Sequence, residues 1–329
     1  MPTPLESGMT LRNRYQIIER IGQGGMGNIY LALDTRLAGR KCAVKEVEHE
    51  KDLSPEILAE ARDQFEREAS VLARLDHPNL PKVSDFFSAG ARDYLVMDFV
   101  PGKDLRTLLL EARATNEYLN EKDILDWVAQ LSDALQYLHS QNPPIVHRDI
   151  KPSNLKITPD GYLKLVDFGL VKILNPGEDT ITIIQGQGTL LYTPLEQYGG
   201  SDAHTDVRSD IYALCATMYH LLTGQPPLDA RQRFLNPMVQ IEPRHINPAI
   251  SSRTEKAILW GLEIHPNHRP ESIEVFQKYL FGTRELPSRP SIRPKRVRLV
   301  DLLFEPPEVV LFAMAIVMLF LSLVATISQ

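Results

Sequence analysis

The first hundred residues alternate between short apolar runs and polar or glycine-rich breaks. The runs have the length and the β-branched and aromatic content that are typical of strands. They are YQIIERIG, NIYLALD, KCAVKEVE, KVSDFFSA and DYLVMDFV. This pattern predicts a strand-rich first lobe.

One helical pattern interrupts these strands, in the segment QFEREASVLARL at residues 64–75. Its apolar positions with helical spacing are Phe65, Ala69, Leu72 and Leu75. The dipeptide His77-Pro78 is expected to end the segment.

After Pro101-Gly102 the pattern becomes helical. Asn120 is placed to cap a helix, and a second helix is predicted from near Ser209 to Gly224. The apolar stripe of the first of these helices comprises Ile124, Trp127, Val128, Leu131, Leu135 and Leu138. The chain is therefore predicted to be an α+β protein, with a strand-rich N-lobe over residues 15–99 and a helical C-lobe over residues 100–283.

Composition narrows the function classes. The 329 residues are 43% hydrophobic, enough to build a core in each of two lobes. A net charge of -6 argues against a general nucleic-acid binder. The two cysteines, Cys42 and Cys215, lie in apolar contexts, so neither a disulfide scaffold nor a metal-ligand spacing is indicated.

The C-terminal segment differs from the rest. Residues 284–307 form a basic, proline-rich linker, and residues 308–328 are predicted to be a transmembrane helix. Val309 to Ile327 carries no charge, proline or glycine, and as a helix these 19 residues would span roughly 28 Å of a hydrocarbon core of about 30 Å. The alternative is a buried C-terminal helix. The positive-inside rule places the preceding lobes in the cytoplasm, and the linker would bind anionic membrane lipid. The expected location is the cell (inner) membrane, with a single span.

A glycine-rich loop, Gly22-Gln23-Gly24-Gly25-Met26-Gly27, lies between the first two predicted strands. A G-x-G-x-x-G pattern alone serves dinucleotide folds, nucleotide-binding hairpins and ordinary turns. A dinucleotide site should open a helix, whereas this loop leads into the strand pattern from Asn28. The remaining interpretation is a hairpin whose backbone N–H groups can approach phosphates.

A lysine and a glutamate are predicted to pair near this hairpin. The period of a strand puts Ala43 and Lys45 on one face, and an inward lysine needs a partner. Glu68 falls inside the apolar stripe of the helical segment 64–75. An ion pair between Lys45 and Glu68 is the simplest explanation, and the alternative is two solvated charges on unrelated surfaces.

The segment VHRDIKPSN carries His147-Arg148-Asp149, Lys151 and Asn154, and Asp167-Phe168-Gly169 follows a short strand pattern. Together they offer one carboxylate for a substrate hydroxyl and two oxygen ligands for Mg²⁺. The segment is therefore predicted to be an active-site loop.

This constellation resembles the eukaryotic-like serine/threonine protein kinases, and GGMG and LEQY are similar to their bacterial branch. The resemblance covers about residues 15 to 280. It implies a bilobal protein-kinase-like fold, ATP with Mg²⁺ or Mn²⁺ as cofactors, and protein substrates with Ser or Thr.

The resemblance also implies individual roles. Lys45, paired with Glu68, would hold the α- and β-phosphates, Asp149 would be the catalytic base, and Lys151 would steady the transferred phosphate. Asn154 and Asp167 would bind the metal. The nucleotide-binding set would be Gly22, Gly24, Gly25, Gly27, Ile29, Ala43, Lys45, the gatekeeper Met97, and the hinge residues Asp98 and Val100.

The resemblance implies further roles outside the nucleotide site. Thr189 would order the substrate site, Asp210 would hold the catalytic loop, and Arg269 would be the partner of Glu196. An arginine directly before the catalytic aspartate, here Arg148, implies that activity is regulated by phosphorylation of the activation segment. Thr180 or Thr182 is therefore predicted to be autophosphorylated, and its phosphate to pair with Arg148. The alternative is that these threonines are ordinary polar loop residues.

Two departures from the family pattern stand out. Pro194-Leu195-Glu196 replaces A-P-E, which puts the fine geometry of the substrate loop in doubt. Lys156 stands where an apolar residue normally lies beneath adenine, with its stem able to pack there and its ammonium to reach outward. Weaker or altered nucleotide preference is predicted.

Three function classes are weighed. The first is an active membrane-tethered protein kinase, the second a kinase-like scaffold without catalysis, and the third a small-molecule phosphotransferase. Retention of Lys45, Glu68, Asp149, Asn154 and Asp167 favours the first. Activating input is expected from a partner, from a homodimer formed in the membrane plane, or from a cytoplasmic ligand.

Overall fold

The computed structural model describes residues 4–24, 27–37, 39–48, 54–90, 92–167, 172–173, 190–198, 205–236 and 241–282. The chain divides into two compact units, Met1–Thr283 and Arg284–Gln329. The predicted linker at 284–307 and the predicted membrane helix at 308–328 lie outside the described residues. Within the described ranges, no helix combines the length and the apolar character needed to cross a membrane.

The N-lobe is built on an antiparallel sheet with the strand order β1-β2-β3-β4-β6-β5. All five predicted strands are present in it. The strands are β1 Thr10–Leu11, β2 Tyr15–Gly24, β3 Gly27–Asp34, β4 Arg40–Glu48, β5 Val83–Ala89 and β6 Arg92–Asp98.

The two faces of this sheet belong to different hydrophobic clusters. Cys42 and Val44 of β4 face an outer cluster that also contains Tyr15 and Tyr30. Ala43, between them, faces the inner cluster, which continues into the C-lobe. The period of two along β4 therefore aims alternate residues toward the space between the lobes.

Helix α1, Pro55–Leu72, packs beside this sheet and is longer than predicted. It begins after Ser54, whose hydroxyl accepts a hydrogen bond from the Ile57 N–H at 3.4 Å, and Pro55 occupies the first turn. The predicted start at residue 64 was wrong, because the cap at Ser54 begins the helix earlier and Leu58 and Ala61 extend its apolar face toward that cap. Leu75 is buried although it lies beyond the helix.

The C-lobe helices begin and end near the predicted residues. Asn120 caps α3 by accepting from the Lys122 N–H at 2.8 Å, and Gly224 ends α4 with φ 72°. The elements are β7 Lys103–Asp104, α2 Leu105–Ala114, α3 Glu121–His139, β8 Ile145–Val146, β9 Leu155–Ile157, β10 Leu163–Leu165, β11 Lys172–Ile173, α4 Val207–Thr223, α5 Ala230–Leu235, α6 Pro243–Ile246, α7 Ser252–Gly261 and α8 Ile273–Phe281. Short 3-10 turns occupy Pro152–Asn154, Leu195–Gln197 and Pro266–His268.

Helix α4 is the central element of the C-lobe. Every residue from Ser209 to Thr223 is buried except His220. Such a helix cannot move without disturbing the whole lobe, so it is a rigid base for the loop that joins β8 to β9.

Candidate active site

The loop between β8 and β9 is held by a carboxylate from α4. Asp210, fully buried, accepts from the backbone N–H of His147 at 2.9 Å and from that of Arg148 at 2.8 Å. Its Oδ2 also lies 2.9 Å from His139 Nε2. Burial alone would raise the pKa of Asp210, but these partners hold it below its usual range. The predicted role of Asp210 in positioning this loop fits this geometry.

Asp149 lies at the centre of the loop and is fixed from two sides. Lys151 Nζ lies 2.8 Å from Oδ1 and 2.9 Å from Oδ2 of Asp149. Asn154 Nδ2 donates to Oδ2 at 2.9 Å and to the Asp149 carbonyl at 2.8 Å. The carboxylate is thus held in one orientation by a cation and an amide.

Asn154 and Asp167 are brought together by the backbone. The Val166 N–H donates to the Asn154 carbonyl at 2.8 Å, which places the next residue, Asp167, beside Asn154. Asp167 has φ 73°, a left-handed conformation that is uncommon for a residue with a side chain. The pair supplies an amide oxygen and a carboxylate, the hard oxygen donors that Mg²⁺ prefers.

No group of three or more His, Cys, Asp or Glu side chains among the described residues could hold a metal ion. A metal bound by Asn154 and Asp167 would therefore need further oxygen ligands. Nucleotide phosphates and water supply such ligands in many Mg²⁺ sites. The donor set fits a metal that arrives with a nucleotide.

Lys45 contacts Asp167 rather than its predicted partner. Its ammonium forms an ion pair with Asp167 Oδ1, and Lys45 is 7% exposed. Burial opposes ionisation of Asp167, but the nearby Lys45 charge holds its pKa below the usual range. Between the described residues Lys45 and Glu68 this structure shows no ion pair, so the predicted Lys45–Glu68 pair stays a prediction.

Glu68 is half-buried on α1 and accepts a hydrogen bond from Gln64 Nε2 at 3.0 Å. Burial raises its pKa, opposed by the Gln64 hydrogen bond and by the charges of Arg148 and Arg67. The apolar stripe indicated correctly that this carboxylate turns inward. Which cation it meets depends on how α1 is rotated against the sheet, which the stripe alone does not determine.

The glycine-rich loop is a β2–β3 hairpin, in which Gly24 pairs with Gly27. Gly27 has φ 142°, and a Cβ there would lie 2.0 Å from the carbonyl oxygen of Glu46. The hairpin and β4 approach so closely that this position needs glycine. Gly22 is less constrained, since a Cβ there would meet Ile29 at ordinary contact distance. Gly25 lies outside the described residues.

Several residues predicted to line the nucleotide pocket lie on the inner face of the sheet. Ala43 and Met97 are paired across β4 and β6, and both are buried in the inner cluster, with Val100 also buried. The partly buried Ile29 packs on the same cluster. The Asp98 side chain points elsewhere, since it pairs with Arg40 and accepts from a backbone N–H.

Lys156 lies on β9 with its ammonium over the ring of Phe99, 5.6 Å from the ring centroid. Phe99 follows Asp98 in the predicted hinge. Burial lowers the pKa of Lys156, opposed by the charge of Asp104. The ammonium is therefore held against the hinge by a cation–π contact.

Glu196 and Arg269 form the predicted contact. The guanidinium donates to Oε1 at 2.6 Å and to Oε2 at 3.0 Å, in a bidentate pair. Pro194 caps the 3-10 turn that carries Glu196, so the altered position of the proline still allows this carboxylate to reach Arg269.

Arg148 is buried, with φ 68°, and burial lowers its pKa to about 10. Within the part of the chain that the structure describes, its Nε and Nη2 atoms have no hydrogen-bond partner. The three threonines proposed for the activation segment, Thr180, Thr182 and Thr189, lie outside that part. A buried guanidinium with free N–H groups can donate charge-assisted hydrogen bonds to an anion.

Glu46 is a site-adjacent residue that the sequence analysis missed. It is 1% exposed and accepts from Arg92 Nη1 at 2.8 Å, from Asn28 Nδ2 at 2.9 Å, and from the Tyr30 hydroxyl at 3.2 Å. The signal was available, because Glu46 falls on the apolar outer face of β4 with Val44. The network joins β3, β4 and β6 directly behind the glycine-rich hairpin.

Comparison with known proteins agrees with this geometry. The model of the family "Protein kinase domain" matches residues 15–281. A probable serine/threonine-protein kinase of Clostridium acetobutylicum is 36% identical over 268 residues, which are 80% of this chain and 38% of the relative. Serine/threonine-protein kinase PknA of Mycobacterium tuberculosis is 33% identical over 296 residues, 87% of this chain and 65% of the relative.

A solved structure extends the comparison to the fold. The PknI kinase domain of Mycobacterium tuberculosis has a TM-score of 0.63 and 27% sequence identity, and the match covers 84% of this chain and 99% of that domain. The chain spans less than two fifths of the length of the Clostridium relative. The family match extends over most of the sequence, and the chain belongs to the protein kinase domain family.

Proposed function

We propose that the chain transfers the γ-phosphoryl group of ATP to Ser or Thr hydroxyls of proteins. The observation that carries this proposal is the fixed carboxylate of Asp149, held by Lys151 and Asn154 beside Asp167. A general base, a cation and two oxygen ligands within one loop and its neighbouring strand suit phosphoryl transfer.

Each side chain has one task in this mechanism. Asp149 accepts the proton of the substrate hydroxyl, and Lys151, already on that carboxylate, stabilises the charge of the moving phosphoryl group. Asn154 and Asp167 would hold Mg²⁺, which neutralises phosphate charge when bound. Lys45 would bind the α- and β-phosphates.

Lys45 must first leave Asp167, because one ammonium cannot serve that carboxylate and the nucleotide phosphates equally. Glu68 is the partner that the family resemblance implies for Lys45 once it is released. We therefore propose that this structure represents a state before nucleotide binding, and that α1 turns to bring Glu68 to Lys45.

The buried guanidinium of Arg148 supports control by phosphate. We propose that Thr180 or Thr182 is autophosphorylated and that its phosphate pairs with Arg148. The Thr180→Ala/Thr182→Ala double variant should lose most of its activity, and mass spectrometry of the wild-type chain should find phosphate at one of the two positions. Full activity of the double variant would contradict this part of the proposal.

We also propose attachment to the cytoplasmic face of the cell membrane through residues 308–328, from their uncharged sequence alone. The full chain should sediment with membranes and resist extraction by carbonate but not by detergent. A chain with Leu319→Arg and Leu323→Arg is the matched control and should be released. A wild-type chain found only in the soluble fraction would contradict the attachment.

The central test compares the full chain with its Asp149→Asn variant. With Mg-ATP and protein acceptors, kcat should fall by about a hundredfold or more, the scale of a lost general base, while the Kd for Mg-ATP changes little. Asp160→Asn, in the exposed β9–β10 turn, is the matched control and should keep full activity. Equal losses of turnover and nucleotide affinity in Asp149→Asn would contradict the assigned role.

The same assay separates the alternatives. ATP binding without phosphate transfer by the wild-type chain would indicate a scaffold. Transfer to free serine or other small alcohols in preference to proteins would indicate a small-molecule phosphotransferase.

A further inference from the structure

A group of cationic side chains lies beside the catalytic loop. Arg106 and Arg113 are seven residues apart on α2, so they project from nearly the same side of the helix. Both are exposed, and the partly exposed His220 of α4 lies near them. We call Arg106 and Arg113, together with the neighbouring His220, the cationic patch; its charge comes from the two arginines.

Two contacts place the patch next to the proposed reaction centre. Helix α2 packs against the turn Pro152–Asn154, which carries the predicted metal ligand. On α4, the Thr217 hydroxyl donates to the Ile150 carbonyl at 3.5 Å, and His220 follows one turn later. Ile150 directly follows Asp149, so the patch lies on the two helices that support the catalytic loop.

Arg113 is also close to the end of α4. Its Cγ lies 4.0 Å from the point where a side chain at Gly224 would begin. The Gly224 N–H donates to the His220 carbonyl at 2.9 Å. The C-terminal turn of α2 therefore brings Arg113 to the surface where α4 ends.

The charge of this surface is not compensated nearby. Within the described residues neither Arg106 nor Arg113 forms an ion pair. Glu111 on the same helix pairs with Lys103 instead, with 2.7 Å between Lys103 Nζ and Glu111 Oε1. Burial and then the charges of Arg113 and Arg106 lower the pKa of His220 to about 4. The two arginines therefore give the patch a net positive charge.

A tyrosine connects the patch to the segment that precedes Glu196. The Tyr192 hydroxyl lies 2.6 Å from His220 Nδ1 and is buried. Four residues later, Glu196 is fixed by Arg269. The patch thus has a rigid base, because His220 and Tyr192 hold each other in place.

We propose that the cationic patch selects protein substrates that carry an aspartate or glutamate close to the acceptor Ser or Thr. A carboxylate is the side chain that a guanidinium binds with two parallel hydrogen bonds. This inference rests on the proposed kinase function, and it names the class of substrate that the function would use.

The test measures kcat/KM of the full chain on peptides that differ at one position. Each peptide has one threonine, and glutamate, glutamine or lysine is placed in turn at every position around it. At the best position, glutamate should exceed glutamine by about fivefold, near the upper limit for exposed ion pairs. The preference should disappear in the Arg106→Gln/Arg113→Gln variant and persist in Arg253→Gln, an exposed arginine on α7.

A charge reversal provides an independent check. The Arg106→Glu/Arg113→Glu variant should prefer lysine over glutamate at the same position, because the charge that faces the substrate side chain is reversed. Equal kcat/KM for the glutamate and glutamine peptides at every position, with normal phosphate transfer, would refute substrate selection by the patch. The proposed kinase function would not be affected by that result. Absence of transfer to any peptide or protein would overturn both.

Discussion

Replacing Arg269 by methionine should destabilise the C-lobe far more than the loss of an ordinary surface charge. The Arg269 side chain is fully buried, and its partner Glu196 is 12% exposed. Besides its two bonds to Glu196, the guanidinium donates to the carbonyls of Glu263 at 2.7 Å, Ile264 at 2.7 Å and Arg208 at 3.3 Å. Methionine would fill much of the volume but satisfy none of these acceptors.

The magnitude follows from burial. Removing one partner of a buried ion pair leaves the other charge uncompensated, which costs about 3 to 5 kcal/mol. The Arg269→Met variant should lose that much of its free energy of unfolding. The Glu196→Gln variant should lose less, because Arg269 keeps its bonds to backbone carbonyls.

The assay is urea unfolding of the full chain, followed by circular dichroism, for both single variants and the double variant. The double variant should be more stable than the sum of the single losses predicts, by about 1 to 3 kcal/mol, since the two residues contact each other directly. Lys278 and Glu274 form the control pair, 72% and 55% exposed. The Lys278→Met variant should cost less than about 0.5 kcal/mol.

A loss below about 1 kcal/mol for Arg269→Met, or a loss equal to that of Lys278→Met, would refute the reasoning from burial. Strict additivity of the two single variants would refute the direct pairing with Glu196, since contacting residues couple. Either result would mean that another contact fixes the segment at 190–198.

Three further predictions concern the nucleotide site and the patch. The Gly27→Ala variant should lose at least about 1 kcal/mol of its free energy of unfolding and bind Mg-ATP more weakly, because the new Cβ would lie 2.0 Å from the Glu46 carbonyl oxygen. A variant with wild-type stability would contradict this steric argument. Lys156→Leu should tighten ATP binding by about threefold, roughly 0.7 kcal/mol, by removing a half-buried ammonium from beside Phe99, and an unchanged Kd in calorimetry would argue against it. The pKa of folded His220 is lowered to about 4, so between pH of about 6.5 and about 4 the unfolded chain binds a proton that the folded chain does not. The free energy of unfolding therefore falls as the pH drops through this window, and the His220→Gln variant should show a smaller fall in urea unfolding. An unchanged pH profile in this variant would exclude the contribution of His220.

The sequence predicted the sheet because its strands alternate regularly and their breaks contain glycine or polar residues. The cap by Asn120 and the stop at Gly224 were also predictable, since both depend on local chemistry. The start of α1 could have been found from Ser54 and Pro55, a cap followed by a first-turn proline, and from Leu58 and Ala61, which continue the spacing of Phe65 and Ala69.

The partner of Lys45 could not be predicted in the same way. Period and burial require a carboxylate near the ammonium, and both Glu68 and Asp167 qualify. The choice between them depends on the rotation of α1 against the sheet and on the backbone at Asp167, which are properties of the whole fold. The contact of Tyr192 with His220 also joins residues far apart in the sequence, so no local sequence pattern predicts it.

The neighbours Lys45 and Glu46 also protect β4 against mispairing during folding. A shift of the strand by one residue would exchange the two side chains between the faces of the sheet. Glutamate would then confront Asp167, and lysine would confront Arg92 inside an apolar cluster. The mismatch on either face would be enough to destabilise the shifted register. A single alignment of β4 is therefore favoured before any nucleotide is present.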